Sequence, residues 1–225
     1  MLGDNPKRPP VTGDGSVLFV KNMFKTLQGE GPHVGVSSVF IRLGGCNLAC
    51  SFCDTEFEDY EEYALDSLLQ EVNKLSANDN GVRSANLVVI TGGEPLRQPI
   101  GLLCQKLIEL GYEVQIETNG TLYRELPKEV DIICSPKVSA NKYLSVHGDL
   151  LPRVNAFKFL VSVIIKEYSA VPELGQTKHN IPVYVQAMDQ QDEEINAKNQ
   201  KLAVELAINN DYRLSYQVHK KLGIE

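Results

Sequence analysis

The sequence predicts an α/β fold: parallel strands with helices outside, arranged as an open or partial barrel. Three observations predict it. Short runs of β-branched and aromatic residues alternate with segments of helical period. Six or seven such runs occur, and most end in Gly, Ser, Thr, Asn or a charge in place of a plain turn. Strands that alternate with helices imply parallel βαβ units, and chemistry in such folds collects at the strand carboxyl ends.

Residues 1–16 (MLGDNPKRPPVTGDGS) are rich in Pro, Gly and Asp, with little to bury. They read as a disordered tail ahead of one domain spanning 17–225. SSVFIRL (37–43) is the first strand and runs through Gly44 and Gly45 into CNLACSFC (46–53). Leu65, Leu68, Leu69, Val72 and Leu75 then recur at helical spacing. NLVVIT (86–91) is the second strand, ending in TGGEP (91–95). Leu103, Cys104, Leu107 and Ile108 form the next helical face, with Gly111 as its stop. YEVQIET (112–118) leads into ETNG (117–120), and VDIICS (130–135) into SPK (135–137). Residues 138–155 have no clear period, as a loop or an insertion would. AFKFLV (156–161) and IPVYVQ (181–186) are the fifth and sixth strands, the sixth ending in QAMD (186–189). A helix over 192–210, with Leu202, Val204, Leu206 and Ile208, precedes a seventh candidate strand, RLSYQVH (213–219).

Composition narrows the function classes. The 225 residues suit one domain with a substantial core. No run approaches the roughly 18 apolar residues of a membrane span, and no signal-peptide core is visible. A net charge of −7, with no basic stretch beyond Lys220 and Lys221, argues against nucleic acid and favours a small-molecule substrate. Five cysteines without an export signal point to a reducing compartment, with the cytoplasm as the expectation.

Three of those cysteines fall within eight positions, Cys46, Cys50 and Cys53. A structural zinc site wants a fourth soft ligand, yet His33 precedes the cluster and Cys104 falls on an apolar helix face. Packing does not crowd thiols into one loop. There remains an iron–sulfur cluster on three thiolates, with one iron open to a ligand from outside the chain. A zinc or iron–sulfur binding module is the non-enzymatic alternative.

CxxxCxxC followed by GGE is similar to the radical S-adenosylmethionine superfamily. More narrowly, MFKTLQGEGP (23–32), FIRLGGCNLACSFCDT (40–55), VVITGGEP (88–95), QIETNG (115–120), SPK (135–137) and RLSYQVHKKLGIE (213–225) resemble the 7-carboxy-7-deazaguanine synthase family. The likeness runs almost continuously over 20–137 and returns at 181–225. It implies an incomplete TIM-like barrel, a homodimer and an electron donor such as flavodoxin or ferredoxin. It implies a radical lyase that turns 6-carboxy-5,6,7,8-tetrahydropterin into 7-carboxy-7-deazaguanine with loss of ammonia, towards queuosine and other 7-deazapurines, with S-adenosylmethionine regenerated. Cys46, Cys50 and Cys53 would hold a [4Fe-4S] cluster, and Thr55 a Mg²⁺ ion. Phe52, Cys53, Asp54 and Gly93 would line the S-adenosylmethionine pocket, Glu94 take its ammonium and Glu117 its ribose. Ser135, Pro136 and Lys137 would meet other polar groups of it, and Gln186, Ala187, Met188 and Asp189 would border the adenine. On the pterin side the resemblance implies Leu27, Gln28, Gly29 and Glu30 at the ring's donor–acceptor edge and Arg42 on the carboxylate. Thr91 and His219 would flank the ring, with the terminal carboxylate of Glu225 beside it. No separate catalytic side chain is implied.

Each of these residues also has a plainer reading. Arg42 inside an apolar strand suits a structural ion pair, and TLQGEGP suits a glycine-rich turn. TGGEP suits a strand-to-helix turn with Pro95 at the first helical position. Thr55 in an isolated CDT says nothing of magnesium, and His219 suits a surface position on a terminal strand. An activase for a glycyl-radical protein would share CxxxCxxC without needing TLQGEG or a fixed C-terminus.

Overall fold

The computed structural model describes residues 5–224. Its centre is a nine-stranded sheet, ordered β11-β10-β9-β6-β5-β4-β2-β1-β3. In chain order the elements are β1 (Val17–Leu27), β2 (Ser37–Leu43), β3 (Glu61–Ala64), α1 (Leu65–Ser76), β4 (Leu87–Gly92), α2 (Gly101–Glu109), β5 (Glu113–Thr118) and β6 (Asp131–Cys134). They continue with β7 (Val138–Ser139), β8 (Lys142–Tyr143), β9 (Ala156–Val161), α3 (Gln176–His179), β10 (Val183–Ala187), α4 (Glu193–Asn210), β11 (Arg213–Ser215) and α5 (Val218–Leu222).

From β2 to β11 every sheet neighbour is parallel and follows in chain order, once the edge strand β3 beside β1 and the small β7–β8 hairpin are set aside. These seven parallel strands are the seven that the pattern of runs predicts. Their apolar character follows from burial on both faces: Val39, Ile41, Val88, Ile90, Ile116, Phe159 and Val185 are sealed off from water on one, and Val89, Ile133 and Ala156 on the other. The end strands β11 and β3 do not pair with each other, so the barrel is incomplete. Outside it, α1 buries Leu65, Leu68 and Val72, and α2 buries Leu103, Cys104 and Leu107.

Five features depart from the sequence reading. VLFVKNMFKTL is an eleven-residue strand, β1, paired antiparallel to β2 and β3. The adjacent polar pairs Lys21–Asn22 and Lys25–Thr26 break up its apolar run, and only Leu18 and Val20 are fully buried in the core. Residues 5–16 are not loose. Arg8 N donates to Cys46 O (2.7 Å) and Val11 N to Arg97 O (2.7 Å), while Arg124 Nη2 donates to Val11 O (2.6 Å). Composition reports side-chain burial, and this segment is held by its backbone groups instead. The seventh strand covers only Arg213–Ser215, so His219 stands on helix α5. In 138–155, Ala140 and Asn141, both at positive φ, close the β7–β8 hairpin. On α4, Leu202 and Leu206 pack inward while Val204 and Ile208 are exposed, because residues two apart cannot share a helix face.

Candidate active site

One cavity of about 310 Å³ collects most of the singled-out residues. Its lower wall is the loop that follows β2. Cys46, Cys50 and Cys53 all line it, and all five cysteines of the chain are free. Leu48 N donates to Cys46 Sγ (3.4 Å) and Cys53 N to Cys50 O (3.1 Å). Burial pushes the Cys46 thiol up to about 12 and raises Cys50 and Cys53 as well. Thiolates here therefore need a cationic partner, which iron supplies. Three soft donors lining one cavity fit the ligand set of a [4Fe-4S] cluster, which Cys46, Cys50 and Cys53 would hold.

Gly93, at the end of β4, shows why this turn is glycine. A Cβ there would stand 1.9 Å from Gly45 O, inside the backbone of the cysteine loop. Gly93 lines the cavity, but Glu94 does not. Its carboxylate turns away and accepts from Leu96 N (3.0 Å), Thr118 Oγ1 (2.7 Å) and Asn119 N (2.7 Å). These donors make Glu94 a fully buried brace between the β4 and β5 ends. Asn119 in turn donates to Asn47 Oδ1 (2.9 Å), tying that brace to the cysteine loop. Pro136 is buried and likewise stands off the cavity, between Ser135 and Lys137, which both line it.

The interior wall is polar. Lys158, third residue of β9, places its ammonium 2.5 Å from Glu30 Oε2 and 2.8 Å from Glu117 Oε2. Burial opposes the charge on Glu30, but Lys158 and Gln217 override it and hold the carboxyl at about 2. Glu117 goes the other way: burial, together with the charge of Glu30, raises it despite Lys158. Burial works against the charge on Lys158 too, yet the two carboxylates raise its pKa. Glu30 arrives from the β1 end of the sheet and Gln217 from beyond β11, so this network spans the barrel.

Leu27, Gln28 and Gly29 line the same cavity. A Cβ on Gly29 would fall 2.1 Å from His219 Nδ1, and Val218 N donates to Gly29 O (3.1 Å). The C-terminal helix thus closes over the TLQGEG loop. Burial keeps His219 below its ordinary pKa. Arg42 stacks on Phe24 at 5.0 Å, and Phe24 stacks on Phe40 at 5.3 Å, with all three on the wall beside Thr91. Opposite them lie Phe52, Asp54, Thr55, Gln186, Ala187, Met188 and Asp189. Lys220 bridges Asp54 (3.0 Å) and Asp189 (2.8 Å), latching α5 to the cysteine loop and to β10. Glu225 lies outside the described residues.

Sequence reasoning missed Lys158, Asn5, Gln217 and the Phe24–Phe40 pair. A lysine in the middle of AFKFLV was the available signal, because a central strand with both faces covered admits a charge only for a partner. Asn5 carried no signal, since nothing local distinguishes it.

The Radical SAM superfamily profile matches residues 40–140. The 7-carboxy-7-deazaguanine synthase of Rickettsia prowazekii (strain Madrid E) is 59% identical over 225 residues, which is 100% of this chain and 96% of that protein. The 7-carboxy-7-deazaguanine synthase of Rhodospirillum rubrum is 39% identical over a 247-residue alignment that covers 100% of both. The crystal structure of QueE from Escherichia coli superposes with a TM-score of 0.74 at 30% identity, covering 90% of this chain and 95% of that one. The incomplete parallel barrel, the three-thiol loop at its mouth and the full-length likeness place this chain in the 7-carboxy-7-deazaguanine synthase family of radical S-adenosylmethionine enzymes.

Proposed function

We propose that the protein converts 6-carboxy-5,6,7,8-tetrahydropterin to 7-carboxy-7-deazaguanine with loss of ammonia, on the route to queuosine and other 7-deazapurines. One observation carries the reading: a single cavity joins three cysteine thiols to a wall of matched polar groups at Glu30, Lys158 and Arg42. When bound, the [4Fe-4S] cluster and S-adenosylmethionine supply one-electron chemistry that abstracts a substrate hydrogen. Cys46, Cys50 and Cys53 hold the cluster. Phe52, Asp54, Gly93, Ser135, Lys137 and the 186–189 segment surround S-adenosylmethionine, with Glu94 fixing the turn from behind. Thr55, which lines the cavity, would offer a hard hydroxyl oxygen to Mg²⁺.

The protein's own part is placement. Glu30, ionised at neutral pH, accepts from the pterin's N–H edge, alongside Gln28 and the backbone of Gly29. Arg42 pairs with the carboxylate in a planar fork, and Phe24 and Phe40 give the ring an apolar face. Thr91 and His219 flank the ring, while α5 excludes water. We further propose that residues 17–225 act as one domain, that the protein works in the cytoplasm as a homodimer without nucleic acid, and that flavodoxin or ferredoxin reduces it.

The test is anaerobic turnover of the reconstituted protein with S-adenosylmethionine, a strong reductant, Mg²⁺ and the tetrahydropterin, read by mass spectrometry. Carboxy-deazaguanine is the expected product. Release of 5′-deoxyadenosine without it would move the substrate elsewhere and leave the superfamily chemistry standing.

A further inference from the structure

The segment from Asn5 to Val11 crosses the cysteine loop from outside. The Asn5 side-chain amide donates to Thr55 O at 2.8 Å and points at Cys53 Sγ at 3.8 Å. Phe57 N donates back to Asn5 Oδ1 (3.5 Å), so one asparagine holds the chain on both sides of Thr55. Two residues on, Lys7 forms a parallel bridge with Cys46, and Arg8 N donates to Cys46 O. The segment thereby grips the first and third cysteines, from a stretch that lies outside the matched 40–140 region. Its own footing is firm. Arg8 pairs with Glu58 (2.6 Å), and the buried Arg97 donates to Pro9 O (3.1 Å) and to Gly44 O (2.8 Å). Between Cys50 and Phe57 the loop has no regular secondary structure, and these contacts support it from one side, with Lys220 on Asp54 and Lys21 on Glu56 from others. Asn5 also lines the cavity itself.

We propose that this N-terminal strap is a working wall of the cluster site, with Asn5 as a positioning residue that donates an N–H···S bond to the Cys53 thiolate. A hydrogen bond to a ligating sulfur stabilises the more negative, reduced form of a cluster and so raises its reduction potential. The same bond, with the Cys46 bridge, restrains the loop against opening and against iron loss. This rests on the reading of the three thiols as cluster ligands.

The test uses the full chain, reconstituted anaerobically, as wild type, Asn5→Leu, Asn5→Asp and Arg8→Ala. The readouts are the cluster's midpoint potential, followed by electron paramagnetic resonance, and the rate of iron release to a chelator. Asn5→Leu is expected to make the cluster about tenfold harder to reduce, a fall of about 59 mV for one electron. Asn5→Asp is expected to lower it further by adding negative charge. Arg8→Ala, which keeps the amide, is expected to release iron several-fold faster with a smaller shift in potential. An unchanged midpoint in Asn5→Leu overturns the proposal whatever the release rate, since packing alone leaves the potential in place. A wild-type protein that forms no cluster would overturn the underlying reading instead.

Discussion

Lys158 is the side chain on which the interior depends most, because it is the shared partner of two buried carboxylates. Lys158→Met would leave Glu30 and Glu117 side by side without the cation they share. Removing one partner of a buried pair costs about 3–5 kcal/mol. We expect chemical denaturation to show a loss of that order, and Glu117→Gln added to the same chain to return part of it. The pH dependence has a definite sign. Glu30 is lowered from 4.5 to about 2 on folding, so its contribution is complete above about pH 4.5 and is lost as the pH falls towards 2. In Lys158→Met the acid limb of stability against pH should therefore flatten over that window. Gly93→Ala acts differently: its Cβ would strike the Gly45 carbonyl, and the expected result is a chain that retains little iron after reconstitution. Residues whose identity and spacing are the chemistry, such as the cysteines and Gly93, were legible in the sequence. Lys158 was not, since its partners lie 41 and 128 positions away. The donors that hold Glu94 were not legible either, because GGE carries no mark of which groups its carboxylate will meet.

Among the elements, the seven parallel strands were legible because double-sided burial writes itself as continuous apolar runs. The antiparallel β1 was not, and its carboxyl end delivers Glu30. Helix α5 was read as strand because QVH suits either state over so few residues. Its placement is decided by Val218 on Gly29 and by Lys220 on Asp54 and Asp189. Those ion pairs are partly solvated, so Lys220→Ala should cost at most about 1 kcal/mol of stability. The functional effect should be larger. With the latch gone, we expect the apparent KM for S-adenosylmethionine to rise while the cluster's absorption stays intact. Removing the last five residues should go further and abolish pterin turnover.

For the whole molecule, the thiols lie within one loop, while the rest of the cavity draws on strands from both ends of the sheet. A ligand that fills the cavity therefore ties distant parts of the chain together. S-adenosylmethionine at a hundred times its Kd should stabilise the reconstituted protein by about 2.7 kcal/mol, about 5–10 °C in Tm for a chain of this size. The cluster-free protein should show a much smaller shift, which differential scanning fluorimetry under argon would read. The order of parts along the chain has a consequence for biogenesis. The strap and the thiols are made early, but the helix that closes over the TLQGEG loop comes last, at 218–222. A chain emerging during synthesis thus exposes its cysteines before the helix that shuts its substrate chamber has been made.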